Sequence, residues 1–395
     1  MAVKLGNGNW AVKEDKLLAY NDNSGLFFNK EFDFSRGSTA TYVGRDGLIA
    51  SAASGVPRID FTNDTKGHLL LEPSRTNYAT NNSLMHTYSA VGGSSPNPTL
   101  TANYTTAPDG TNTATRLQTS VTGSSYSLIN LPSTTLGDGT YSISVYVKSN
   151  TDSNQIISFY GAGSASSAFK LSVTTEWTRL EVQATRGSGQ TKYAYIGTWP
   201  SLQGSDENID ISVWGAQVEI DSDYSTSLIP TTGAASTRNA DVCNNSGSAQ
   251  DFNSEEGVLY AEIAALTQTL GSSDEVIGIS DGTLDNRIII YHKKNLSNTI
   301  AYGIESNNVA QFFESFTISD ITSLHKVAFK FKQNDCALWI NGNEVDTQTS
   351  VSMPSGLNSL QFDTGNGSSD FYGKVRNVQV FTEALTDEQL EKLTS

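Results

Sequence analysis

GAQVEIDSDYSTSLIPTTGAASTRNADVC, Gly215 to Cys243, is where the chain changes character. Ile211 and Val213 alternate with Ser212 and Trp214 in the period of a strand, and that pattern runs into the stretch, breaks at Pro230 and dissolves into Thr, Ala, Ser and Gly. Proline has no N–H to give to a ladder, and small polar residues bury little, so the stretch reads as a joint between two domains. Everything else is placed from it: a domain upstream at residues 83–231, a linker at 232–239, and a domain downstream at 240–395.

Upstream, Tyr141, Ile143, Val145 and Val147 alternate with Ser142, Ser144, Tyr146 and Lys148, the signature of a strand with one face in a core and one face wet. Leu171 to Val173, Trp177 to Val182, Tyr193 to Thr198 and Ile209 to Trp214 repeat it, with Gly-Asp-Gly at 137–139 and Gly-Ser-Gly at 187–189 between strands. These spacings predict an antiparallel β-sandwich of jelly-roll type. A sugar site needs a flat aromatic beside a few hydrogen-bonding groups. Trp199, in a loop before Pro200 and close to Tyr193 and Tyr195, is the glycan-platform candidate; filling or edging the sandwich is the other use of these rings, and Trp177 is assigned to packing.

Downstream, Gly257 to Ile263 alternates as a first strand, and Ile277 to Ser280 and Arg287 to His292 follow, joined through Asp281-Gly282. Val327, Phe329 and Phe331 lead to a turn at Gln333-Asn334-Asp335, return through Cys336 to Ile340, and turn again at Asn341-Gly342, a strong hairpin dipeptide. Thr386 with Gln389 forms a capping box for a terminal helix whose Leu390 and Leu393 can dock on the sheet. Trp339, on the face opposite Leu338 and Ile340, either stacks on a sugar or packs across strands. The loop Asp363 to Asp370 offers oxygens and two glycines, as a calcium site or a plain turn would, with Asp363 and Asp370 as the carboxylates; no other cofactor is expected.

The N-terminal region, residues 1–82, mixes short strands with turns, and its apolar residues are too few and scattered for a core of their own. Gly44-Arg45-Asp46-Gly47 has hairpin-turn composition. Arg36, Arg45, Arg58 and Arg75 stand beside Asp33, Asp46, Asp60 and Glu72, which points to ion pairs instead of an anion site.

The chain has 395 residues, enough for two or three domains, and its 33 glycines and charged fraction of only 17% favour short strands and turns. The fold class is all-β: two antiparallel β-sandwiches in tandem after a β-rich N-terminal segment. With 41 acidic and 25 basic residues the net charge is -16, which disfavours nucleic acid and anionic membranes as partners. Cys243 and Cys336, the two cysteines present, support no disulfide framework or zinc set, and Cys336 reads as a small buried apolar residue. MAVKLGNGNWAVKEDKLLAY lacks the apolar core of a signal peptide, and no segment approaches the roughly 20 apolar residues of a membrane span, so cytoplasmic synthesis without membrane insertion is expected.

No catalytic constellation stands out. Gly278-Ile279-Ser280-Asp281-Gly282 fits G-x-S-x-G, but a nucleophile elbow leads into a helix and Ile288-Ile289-Ile290 announces a strand. Glu219, Asp221 and Asp223 begin like the acidic strand of laminarinase-type glycosidases, yet Tyr224 takes the place of the second glutamate. His68, His86, His292 and His325 show no metal or triad spacing.

Several of these landmarks also carry a family resemblance. Gly215 to Glu219, Tyr224, Ile229-Pro230, Thr237-Arg238 and Ala240-Asp241 resemble a junction in structural proteins of tailed bacteriophages. Ala107-Pro108-Asp109-Gly110, Tyr141 to Lys148, Trp177-Thr178-Arg179 and Trp214 to Gln217 look like carbohydrate-binding-module-like jelly rolls of such proteins. The last third of the chain is similar to concanavalin A-like, laminin-G-type lectin sandwiches. Arg36, Ser38 to Tyr42, Asp46 to Ile49, Val56-Pro57-Arg58, Leu70 to Pro73 and Arg75-Thr76-Asn77 look like the N-terminal module of phage tail and head fibres. The resemblance implies a non-enzymatic appendage on the virion surface, a homotrimer attached to other virion proteins through residues 1–82 and binding host-surface glycans by avidity. A purely structural head fibre or capsid decoration, and a glycan-degrading tailspike, are the alternatives.

Overall fold

The computed structural model describes residues 2–5, 11–13, 16–22, 27–131, 137–161, 168–187, 194–268, 271 and 273–395. Their regular structure is antiparallel β, apart from a 3-10 turn and two short helices. They form two compact units: one from the described residues of Met1–Gly47, Ala52–Pro73 and Asn239–Ser395, the other from Leu48–Ser51 and Ser74–Arg238.

The second unit is a sandwich of two five-stranded sheets. One sheet orders the strands Thr99–Thr105, Ala114–Gln118, Asp210–Ile220, Gly139–Ser149 and Thr178–Arg186. The other orders Ala90–Gly92, Ser127–Asn130, Tyr195–Thr198, Gln155–Tyr160 and Ala168–Val173. Tyr141, Ile143, Val145 and Val147 face Ile157, Phe159 and Ile196 across a core from which water is excluded, as the alternation predicts. The opposite face is wet only in part: Ser142 and Ser144 are fully buried, while Tyr146 and Lys148 are half-buried. After Ile220 the chain folds back over that face, where Ser142 Oγ meets Ser225 Oγ at 2.5 Å, and Arg179 donates both to Ser144 Oγ and, at 2.8 Å, to the Thr226 carbonyl. Trp177 packs with Trp214, Tyr146, Ala107 and Leu228 on the same outer side and donates from Nε1 to the Thr106 carbonyl.

Buried amides hold that return. Asn77 Nδ2 donates to the carbonyls of Ala216 and Ile229, while its Oδ1 accepts from the Ala79 and Val218 N–H groups. Gln217 Oε1 accepts from the Ile229 N–H at 2.7 Å. The joint seen in the sequence is thus an ordered element of the jelly roll, with Ser236–Arg238 paired to Arg75–Asn77.

In the first unit, a sheet of Val309–Thr317, Thr299–Ser306, Arg287–His292, Glu275–Ser280 and Ser359–Gln361 packs on a larger one whose centre is Gly373–Phe381 and Glu256–Ala265. The expected turns are in place: Asn334, Asn341 and Gly342 take φ of 59°, 48° and 81°, left-handed values that asparagine and glycine tolerate best. Residues 1–82 do not stand as a segment of their own. His68–Leu71 pairs with Gly373–Phe381, and Leu69 and Leu71 sit in the core beside Ile263 and Phe371. A stretch too poor in apolar residues to build a core has buried them in its neighbour's.

Two arginines of that stretch, Arg36 and Arg58, form buried ion pairs, with Glu72 and with the distant Asp241. Arg58 bonds Glu72 at 2.7 Å and Asp241 at 2.5 Å, and Arg36 bonds the other oxygen of Asp241 at 2.9 Å, all with buried side chains. No described helix is long and apolar enough to cross a membrane.

Candidate functional site: an aromatic face and a polar cleft on the jelly roll

Strand Tyr195–Thr198 lies between Ser127–Asn130 and Gln155–Tyr160. Period two sends Ile196 into the core and Tyr195 to the other face, opposite Tyr160. Gly197 is fixed by crowding, because a Cβ there would come within 2.3 Å of the Ser127 carbonyl oxygen. Trp199 then leaves the sheet. Its N–H is shared between Ser158 Oγ at 3.1 Å and Ser205 Oγ at 2.9 Å, Pro200 opens a single helical turn, and Gly204, at φ 63°, closes it. The indole is therefore carried on a pinned backbone.

Around it the sheet assembles a continuous aromatic face. Tyr126 lies 4.7 Å from Trp199 between centroids, Tyr160 lies 6.2 Å from Trp199, and Tyr195 lies 5.9 Å from Tyr160. All four rings are half-buried, and burial raises the Tyr160 hydroxyl above the ordinary phenol range. Asn130, directly across from Tyr195, has a buried Oδ1 with no hydrogen-bond donor among the described residues. That oxygen is closed to solvent, so what the face offers a saccharide is its flat, half-open rings, against which C–H groups can lie. Tyr193 falls outside the described residues.

Trp339 is a correction. It does lie on the face opposite Leu338 and Ile340, but the terminal helix Asp387–Thr394 covers that face, and Trp339 is 7% exposed among Val258, Tyr260, Ala328, Ala337 and Leu390. It offers no surface for a sugar. At the loop that offered either a calcium site or a plain turn, the carboxylates are engaged within the protein. Both oxygens of Asp363, which is fully buried, are taken by the Gly365 N–H at 2.5 Å and by Asn244 Nδ2 at 2.7 Å. Burial raises the carboxyls of both Asp363 and Asp370, and Asp370 accepts from the Tyr372 hydroxyl. Among the described residues no group of three His, Cys, Asp or Glu side chains is placed to hold a metal.

Glu219 is likewise occupied: it accepts from Thr226 N–H at 2.9 Å, Thr226 Oγ1 at 2.5 Å and Gln217 Nε2 at 3.0 Å, and it is fully buried. Its carboxylate orders the joint. Ser280 leads from one strand through a turn to the strand Arg287–His292, so Gly278 to Gly282 is not a nucleophile elbow.

Two members of the aromatic face were missed in the sequence. Tyr160 ends a strand in which Ile157 and Phe159 are the inward positions, which is enough to place it outward. Tyr126 sits outside any strand and has no local signal. On the other sheet a cleft of about 500 Å³, lined by Tyr104, Lys148, Asn150, Asp152 and Thr175, was missed as well.

No family model matches the chain, and no curated protein matches it. Among solved structures it is similar to the CBM40 of Ruminococcus gnavus IT-sialidase, at 15% identity over 38% of this chain and 94% of that one, with a TM-score of 0.31. It is also similar to domain 4 of AbnA, a GH43 extracellular arabinanase from Geobacillus stearothermophilus solved with arabinotriose, at 12% identity over 40% and 73% with a TM-score of 0.32. The SAP-like pentraxin of Limulus polyphemus matches at 17% over 38% and 72%, with a TM-score of 0.29. Likenesses of this size identify neither a family nor a ligand.

Proposed function

We propose that this chain is a non-enzymatic glycan-binding protein of a phage virion, adhering through the aromatic face around Trp199. The observation that carries the glycan reading is that face: four half-buried rings in contact, with the Trp199 backbone anchored by two serines. A preformed aromatic surface loses little entropy on binding and suits a ligand presenting C–H groups and hydroxyls together. The virion part of the reading is supported by the junction residues Gly215 to Asp241 and by the tail- and head-fibre-like residues between Arg36 and Asn77. In it the chain is a homotrimer, made in the host cytoplasm and held to other virion proteins by its N-terminal region. Weak single contacts then become firm adhesion through many copies.

The test is a glycan array probed with the full chain and with Trp199→Ala. Truncating a central aromatic in an interface costs about 2 kcal/mol or more, roughly thirtyfold in affinity. Saturable binding that weakens by that factor, at an unchanged thermal midpoint, is expected. Binding indifferent to Trp199 would move the glycan contact off this face, and binding to no glycan would leave a purely structural role as the better reading. Antibody to residues 240–395 should decorate intact particles, and sedimentation equilibrium of the same protein reads the copy number; unlabelled particles would remove the virion assignment.

A further inference from the structure

The second sheet of the jelly roll carries a feature that the aromatic face does not use. Between Tyr104, on the edge strand Thr99–Thr105, and the turns at 149–152 and 174–177 lies the cleft of about 500 Å³ whose lining includes Lys148. Beneath and beside it runs a closed polar lattice. Arg116 grips both oxygens of Asp210, Gln118 Nε2 and Asn150 Nδ2 donate to the same carboxylate, and Asn150 Oδ1 accepts from Ser212 Oγ at 2.7 Å. The Arg116 guanidinium holds the Asp210 carboxyl below its ordinary range. With its hydrogen bonds made internally, the lattice is a rigid base and not a ligand set.

The lattice positions what stands above it. The Arg116 guanidinium lies 4.6 Å from the centroid of the Tyr104 ring, yet Tyr104 remains 42% exposed, so one side of the ring is braced and the remainder is open. Around it, the Lys148 ammonium, the Asp152 carboxylate and the hydroxyls of Tyr104 and Thr175 make no hydrogen bond or ion pair with any described residue. The cleft thus holds one braced aromatic ring, one free cation, one free anion and two free hydroxyls.

That set selects a chemistry. A phosphate or sulfate would meet Asp152, a cation would meet Lys148, and an apolar ligand would strand four polar groups. A neutral pyranose fits: its C–H face lies on the tyrosine, and adjacent hydroxyls donate to the carboxylate and accept from the ammonium. We propose that the cleft lined by Tyr104, Lys148, Asp152 and Thr175 is a second, independent site for a neutral hexose, on the sheet opposite the Trp199 face. It stands whether or not the Trp199 face binds anything.

The experiment is saturation-transfer NMR with calorimetry on the full chain, using methyl α-glucoside, methyl α-galactoside and N-acetylglucosamine as probes. These are compared across the natural protein, Trp199→Ala, Tyr104→Ala, Lys148→Gln and Asp152→Asn. At least one probe is expected to bind saturably, with a dissociation constant on the order of 1 mM. That binding should survive Trp199→Ala and weaken about tenfold or more in each cleft variant at an unchanged melting temperature. Binding lost in Trp199→Ala and retained in all three cleft variants assigns it to the aromatic face and overturns the proposal. No saturable binding of any probe overturns it as well.

Discussion

Glu275 and His292 face each other across two strands at the margin of the core in the unit that contains the C-terminus, with the Glu275 carboxyl 3.3 Å from His292 Nδ1 and the Phe371 ring tilted against the imidazole at 5.2 Å between centroids. Burial pushes the Glu275 carboxyl well up and the His292 imidazole down to about 3, with the charge of His325 adding to the latter. Both groups are therefore driven toward their neutral forms, with opposite consequences for stability. Below an unfolded value near 6.5, the unfolded chain binds a proton that folded His292 refuses, so stability falls as pH drops toward about 3. Glu275 does the reverse: folded, it keeps a proton above the ordinary 4.5 that the unfolded chain releases, so its contribution is lost as pH rises through its raised value. Urea titrations should show Glu275→Gln flattening the alkaline side of the stability profile and raising stability at neutral pH. A variant as pH-sensitive on that side as the parent would mean that Glu275 is solvated. Nothing in the sequence singled out this pair, because its partners meet only through strand register. Trp199 and Trp339 make the same point: each had a sound local reason to face outward, but what covers a face is decided by chain far away.

At the scale of elements, the terminal helix Asp387–Thr394 shows how much local chemistry determines. Thr386 Oγ1 accepts from the Gln389 N–H and Gln389 Oε1 accepts from the Thr386 N–H, the reciprocal box legible from the two side chains alone. Hairpins at Asn334 and Asn341-Gly342 were legible for the same reason, since the turn residue itself supplies the left-handed backbone. The helix's destination was half legible: Leu390 docks as expected, but the tryptophan beneath it was not foreseen. Thr386→Ala should cost about 1 kcal/mol, and Leu390→Ala about 2 to 5 kcal/mol. Leu390→Ala should also loosen the cover over Trp339, whose Nε1 has no partner among the described residues, and shift tryptophan emission to the red. An unshifted spectrum with unchanged stability would show that the helix does not seal that face.

Across the whole molecule the limits of sequence reading have one cause, which is chain separation. The two sandwiches could be read from alternation, because strand and core face are written within a few residues. Membership of the units could not, since Arg36 meets Asp241 after 205 residues and Arg58 meets it after 183. These contacts, with Glu72, knit residues 32–47 and 52–72 onto the sandwich that begins at Asp241, in place of the separate N-terminal segment expected from composition. Asp241 is the shared partner: its two oxygens take both guanidinium groups, and one of them also accepts the Glu72 N–H at 2.8 Å. Removing one member of a buried ion network strands the others without water or counter-charge, at a cost of about 3 to 5 kcal/mol. Asp241→Ala should lower the urea midpoint by the equivalent of that loss and expose the amides of Leu69 to Leu71 to hydrogen exchange. Arg36→Ala, which leaves the Arg58–Glu72–Asp241 group intact, should cost less. If Asp241→Ala costs under about 1 kcal/mol, the network is solvated in the way of a surface pair, and the N-terminal strands are held by apolar burial of Leu69 and Leu71 alone.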